Sequence, residues 1–108
     1  MRERAAFCGM LFVHLKIPEA TSLKDRRQVT RSILGKARSR FNVSAADLGP
    51  DGSCQESFLA FSALSSSHSG AEERIDSLMR LVRSMEEKGD FFLVREKKEV
   101  KRYDDFQN

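Results

Sequence analysis

The sequence predicts an α+β domain in which two β-α-β crossovers share one antiparallel sheet. Three observations carry this. Apolar residues alternate with a period of two over 6–17 and again over 57–64. Two stretches with helical periodicity, each opened by a capping signal, follow those strands. A dense turn signal, Gly49-Pro50-Asp51-Gly52-Ser53, separates the second and third strand-like runs.

The first strand, 6–17, places Phe7, Gly9, Leu11, Val13, Leu15 and Ile17 on one face, with Cys8, Met10, Phe12, His14 and Lys16 on the other. Pro18 ends it, because proline has no N–H to donate to a ladder. Ser22 with Asp25 three residues on forms a capping-box-like helix start. At 100° per residue, Leu23, Thr30, Ile33, Leu34 and Ala37 share the arc that packs on the sheet. Lys24, Arg27, Arg31 and Arg38 fall on the opposite arc, with Gly35 leaving bare backbone between the last two. Arg26 lies in the middle of the apolar arc, so its guanidinium must snorkel past the sheet end or meet a carboxylate; a structural anchor is the expected role, with a ligand contact as the alternative.

Residues 41–48 form the second strand, with Phe41, Val43 and Ala45 on one face. In the third, 57–64, Leu59, Phe61 and Ala63 point inward while Phe58, Ala60 and Ser62 point outward. Ser69 with Glu72 is expected to cap the second helix, whose apolar stripe runs through Ala71, Ile75, Leu78, Met79, Val82 and Met85. Its methionines read as core filler. Gly89 stops that helix, and a fourth strand, 91–103, begins apolar and runs into Lys97, Lys98, Lys101 and Arg102. Residues 104–108 are expected to be a loose tail. The order β-α-β-β-α-β describes a ferredoxin-like split βαβ: one domain over 1–108, core about 6–103, with a four-stranded antiparallel sheet, two helices on one face and the other face open.

A composition of 40% hydrophobic and 32% charged residues is that of a soluble globular chain. Arg2 and Arg4 before the apolar run 5–13 imitate a signal peptide, but His14 and Lys16 interrupt the run and no small-residue cleavage site follows. No stretch reaches the roughly 18 apolar residues of a membrane span. A cytoplasmic protein without membrane contact is expected. Cys8 and Cys54 are too few and too far apart for a zinc motif or a disulfide framework, so free thiols, no metal and no cofactor are expected. The Ser65-Ser66-Ser67 run beside His68 lacks an acid placed to orient the imidazole, and no glycine-rich phosphate loop is present. Enzymatic activity and a small-molecule substrate are therefore not expected.

Charge is distributed unevenly. Seven cations between Ser22 and Arg40 (Lys24, Arg26, Arg27, Arg31, Lys36, Arg38 and Arg40) face the single acid Asp25; that segment is +6 where the whole chain is +3. A partner carrying phosphates or carboxylates follows.

The run Ser22-Leu23-Lys24-Asp25-Arg26-Arg27, with Pro18 before it and Arg31-Ser32, Arg38 and Arg40-Phe41-Asn42-Val43-Ser44 after it, resembles the YlxP-like family of small bacterial proteins, whose biochemical role is unassigned. The likeness spans roughly residues 9–95. It implies a ferredoxin-like fold. Family genes tend to lie beside those for translation initiation and ribosome maturation, next to ribosome-binding factor A, which implies an association with the ribosome but no mechanism. The chain departs from the family pattern at Phe12 and Phe58, where polar residues are typical, and at Glu56, where a basic one is.

Two readings of function follow. In the first, a non-enzymatic protein, expected to be a homodimer, contacts structured RNA or a ribosomal subunit through Lys24, Arg27, Arg31, Lys36, Arg38 and Arg40. In the second, the chain is a homodimeric protein-interaction or regulatory module whose basic helix meets an acidic protein. The open face serves either reading: Met10, Phe12, His14 and Phe58 would stack on bases or close an isologous dimer. A sheet face that instead bound a small effector would show ligand-dependent thermal stabilisation.

Overall fold

The structure, a computed structural model, describes residues 4–106. Its elements run β1 (Ala5–Lys16), α1 (Leu23–Arg40), β2 (Ser44–Asp47), β3 (Glu56–Ser65), α2 (His68–Glu86) and β4 (Phe92–Asp104). The sheet order is β2-β3-β1-β4, with every neighbouring pair antiparallel. Each helix therefore bridges two strands that have a third between them, which is the ferredoxin-like arrangement. No helix of the described residues is long and apolar enough to cross a membrane.

Alternation along the central strands builds the core. Leu11, Val13 and Leu15 of β1 and Leu59, Phe61 and Ala63 of β3 are buried beneath the helices. They meet Ile33, Leu34 and Ala37 of α1 and Ile75, Leu78 and Val82 of α2. Gly9 decides how close α2 sits: a Cβ there would lie 2.6 Å from Ile75 Cγ1 and 3.2 Å from the Ala71 carbonyl oxygen. Its β3 partner, Ala63, is also small, so the first turns of α2 cross the sheet over a seam without bulk.

Several boundaries differ from those the sequence suggests. β2 covers four residues and starts at Ser44, not at Phe41. The Phe41 N–H bonds to the Ala37 carbonyl and the Val43 N–H to the Phe41 carbonyl, so residues 41–43 close α1 instead of extending the ladder. α2 starts two residues earlier than the Ser69–Glu72 pair implies, because the Ser67 hydroxyl accepts from the Gly70 N–H and is the N-cap. Gly89, with φ of 94°, ends the turn that follows α2. Asp104 belongs to β4, and the Asp105 N–H bonds to the Arg4 carbonyl, so the strand pairing outlasts the expected tail boundary. Residues 107–108 of that tail lie outside the described residues.

β4 carries a register shift against β1 between His14 and Leu15: Arg95 faces His14, but Leu93 faces Leu15, leaving Val94 extra. One added residue flips parity. Leu93 turns onto the core, while Arg95, two positions on, shares the open face with His14.

Two glycines test these packing relations. Gly9→Val should lower stability by about 1–3 kcal/mol, read as a lower urea midpoint, because α2 must lift away from β1. Gly35→Ala meets nothing within 4 Å in the helix interior and should raise stability by about 1 kcal/mol.

Candidate nucleic-acid interface

The basic helix is fixed at its start by reciprocal polar contacts. The Ser22 hydroxyl accepts from the Asp25 N–H at 3.1 Å. Asp25 reaches back past the cap to accept from the Thr21 N–H at 3.0 Å and the Thr21 hydroxyl at 2.9 Å. Those two bonds, with smaller help from Ser22 and the Lys24 charge, hold its carboxyl below the ordinary aspartate range. The lone acid of the basic segment is thereby committed to the backbone ahead of the helix.

Arg26 is the anchor its position demanded. It is 5% exposed. Its Nε donates to the Glu56 carbonyl at 2.8 Å, and its two terminal nitrogens donate to the two oxygens of Asp47 at 3.0 and 2.8 Å. A longer contact of 3.3 Å joins it to the Ser57 hydroxyl. One side chain thus ties α1 to β2 and β3 at once. Burial works against the charged form of Asp47, but the Arg26 bonds, the Gly49 N–H and the charges of Arg26 and Arg27 outweigh it, and the net shift is downward. Asp47 follows Ala45 on the core-facing parity of β2. A charged residue on each of two facing apolar surfaces was the signal that pairs it with Arg26.

The six basic residues named from the sequence divide into groups. Lys24, Arg27 and Arg31 are exposed at helical spacing, and Arg27 borders a cavity of about 520 Å³ with Asp47, Leu48, Pro50 and Asp51. Arg27 therefore flanks the β2 end, and Lys24 and Arg31 lie beside it on the same helix face. Arg38 points the same way, but its guanidinium donates to the Ala45 carbonyl at 2.6 Å and covers the free edge of β2. Lys36 is half-buried in a groove with Ser32, Met85 and Phe91, and Arg40 is exposed at the helix end. Among the described residues, Lys24, Arg27 and Arg31 make no ion pair, whereas Arg83 pairs with Glu96, Lys98 with Asp76 and Arg102 with Asp104.

Met10, Phe12, His14 and Phe58 lie together on the open face, as their parity requires. The His14 ring stacks on Phe58, with centroids 4.2 Å apart and planes 15° from parallel. Its Nε2 lies 3.0 Å from Glu56 Oε1, a hydrogen bond that needs the proton on Nε2. One face of Phe58 is therefore already covered from within the chain. His68 opens α2 edge-on to Phe7, and both cysteines are free and partly buried. No group of three or more His, Cys, Asp or Glu among the described residues is placed to hold a metal.

Fold and surface together define a ferredoxin-like α+β domain with a basic helix flank and an open sheet face. The chain belongs to the family described as "Protein of unknown function (DUF503)", whose model matches residues 8–91. It is 31% identical over 71 residues to the uncharacterized protein YlxP of Bacillus subtilis (strain 168), covering 66% of this chain and 77% of that protein. This agrees with the resemblance read from the Ser22–Arg27 run. Among solved structures, the de novo designed protein Foldit4 is similar with a TM-score of 0.50 at 10% identity, over 91% of this chain and 96% of that one, which is a likeness of fold alone.

Removing the guanidinium of Arg26 should leave the Asp47 carboxylate without its main partner. Arg26→Ala is expected to cost about 3–5 kcal/mol in a denaturant titration. Because the Asp47 pKa is depressed in the folded state, its contribution is complete above the unfolded value of about 3.9 and is lost as pH falls through the folded value. An Asp47→Asn chain should be less stable near neutrality and should show a flatter decline below about pH 4, checked by urea midpoints across pH.

Proposed function

We propose that this protein is a non-enzymatic, cytoplasmic RNA-binding protein that contacts structured RNA, as found in a ribosomal particle, through the β2-side flank of α1. The observation that carries the reading is the set Lys24, Arg27 and Arg31, exposed, successive on one helix flank and without ion-pair partners among the described residues. Exposed cations on protein surfaces are normally interspersed with acids. Asp25 is engaged by Thr21 and Asp47 by Arg26, and Asp51, which borders the same cavity as Arg27, makes no ion pair with it. A row of uncompensated cations at one-turn spacing suits a phosphate backbone, where each contact releases counterions. The ribosomal neighbourhood implied for the family points the same way. Arg38, held by Ala45, serves the β2 edge and is a positioning residue in this reading.

Binding to purified ribosomal subunits and to a bulk structured RNA, followed across salt, tests it. Three phosphate contacts predict about a 40-fold loss of affinity between 50 and 200 mM salt. The Lys24→Glu/Arg27→Glu/Arg31→Glu variant, with an unchanged circular dichroism spectrum, should lose both the binding and the salt dependence. Wild-type protein that fails to bind either target at low salt would overturn the proposal.

A further inference from the structure

The open face of the sheet is not uniformly flat. At the end where β1 meets the register shift, a cavity of about 310 Å³ is lined by Phe12, His14, Leu48, Phe58, Arg95 and Lys97, with main chain of the strands as its floor. Small side chains continue the depression beyond it: Ala60 faces Phe12 across the β1–β3 pair, and Ala46 faces Ala60. Its aromatic wall is the His14 ring, bonded to Glu56 and stacked on Phe58. The opposite wall is cationic. Arg95 stands across from His14 and Lys97 across from Phe12, and neither makes an ion pair among the described residues. The interleaved Glu96 and Lys98 have the other parity and pair with Arg83 and Asp76 of α2 on the helix side. The acids near the site are Glu56, bonded to His14, and Glu99, two residues along β4 from Lys97.

We infer that this concavity is a binding site for a single nucleoside monophosphate, with the planar base against Phe12 and the His14–Phe58 pair and the phosphate between Arg95 and Lys97. The volume is at the small end of the range for ligand sites, which suits one nucleotide and not a dinucleotide cofactor. A hydrophobic ligand alone would leave two cations without partners, and an inorganic anion alone would leave the aromatic wall unfilled. A ring carrying a phosphate satisfies both walls, through stacking and charge-assisted hydrogen bonds. This site is on the face opposite α1 and does not rest on RNA contact by that helix.

Adenosine, guanosine, cytidine and uridine 5′-monophosphates are titrated into the full chain, alongside the four nucleosides and inorganic phosphate, by calorimetry and amide chemical-shift mapping. At least one monophosphate should bind more than about tenfold tighter than its nucleoside and than phosphate. The shifts should centre on Phe12, His14, Phe58, Arg95 and Lys97. Arg95→Glu/Lys97→Glu, at two exposed positions that leave the core intact, should abolish binding, and Phe12→Ala should weaken it; unchanged affinity in a folded Phe12→Ala chain would overturn the stacking. No binding at millimolar concentration, equal binding of nucleosides or of phosphate, or preference for a short single-stranded oligonucleotide would each overturn the inference. So would a chain that sediments as a dimer, becomes monomeric on Phe12→Glu and binds no monophosphate.

Discussion

A guanidinium in the middle of an apolar helix face has to be matched almost completely, because an unpaired buried charge is among the costliest features a small domain can carry. Arg26 meets this demand with a bidentate pair to Asp47 and further bonds to the Glu56 carbonyl and Ser57. No buried polar side-chain atom of the described residues is left without a partner. The fork-to-carboxylate geometry is directional, so it fixes the rotation of α1 about its own axis as well as its distance from the sheet. Turning the helix by one residue would swing Arg26 off Asp47 by about 100° and would carry Lys24, Arg27 and Arg31 away from the β2 flank. The placement of the basic row is thus a consequence of the clamp.

The acids of the domain explain where positive charge remains available. Asp25 is taken by the helix start, Asp47 by the clamp, and Asp76 and Glu96 by Lys98 and Arg83. Among the described residues, the cations without an ion pair include two groups, one on the α1 flank and one on the open-face side of β4. They lie on opposite faces of the sheet, yet Leu48 borders both the cavity beside Arg27 and the cavity beside Phe12. The β2–β3 loop is therefore a place where the two surfaces adjoin. Its extra ladder bonds, Leu48 N–H to the Phe58 carbonyl and Phe58 N–H to the Gly49 carbonyl, hold that junction in register.

Most of the fold was legible because it rests on local rules: period-two strands, two capped helices, a Gly-Pro-Asp-Gly turn and a Gly stop. The angle of Arg26 placed it in the apolar arc and favoured an anchor over a ligand contact, and the bonds to Asp47 and Glu56 decide for the anchor. Its partner was harder, since pairing Asp47 with it requires the crossover that lays β2 beside α1. What escaped the sequence was whatever depends on a single residue of register. Phe41 has the parity of a strand residue, but the open carbonyls at the end of α1 capture its N–H first. The extra Val94 sends Arg95 and Lys97 to the open face while Leu93 turns inward, and no composition or spacing in β4 announces it. The basic residues scored as one group by charge separate once Arg38 is seen bonded to β2 and Lys36 in the groove beside α2.

α1 breaks several local rules at once. Gly35 stands in its interior and costs about 1 kcal/mol relative to alanine. Arg27 and Arg31 are like charges one turn apart, which costs a few tenths of a kcal/mol more. Its apolar arc is interrupted by Arg26, and Asp25, the one acid in the helix itself, is turned away toward Thr21. Apart from Arg26 and the helix start, these features are not required by the core: Gly35 has nothing within 4 Å, and Arg27 and Arg31 are exposed. By contrast α2, of similar length, buries seven residues in an apolar stripe and shares ion pairs with β4. A helix that relies on its tertiary clamp and keeps unfavourable charge on its free flank is what the proposed RNA contact would call for, since violations of local consistency concentrate where a surface has a second task.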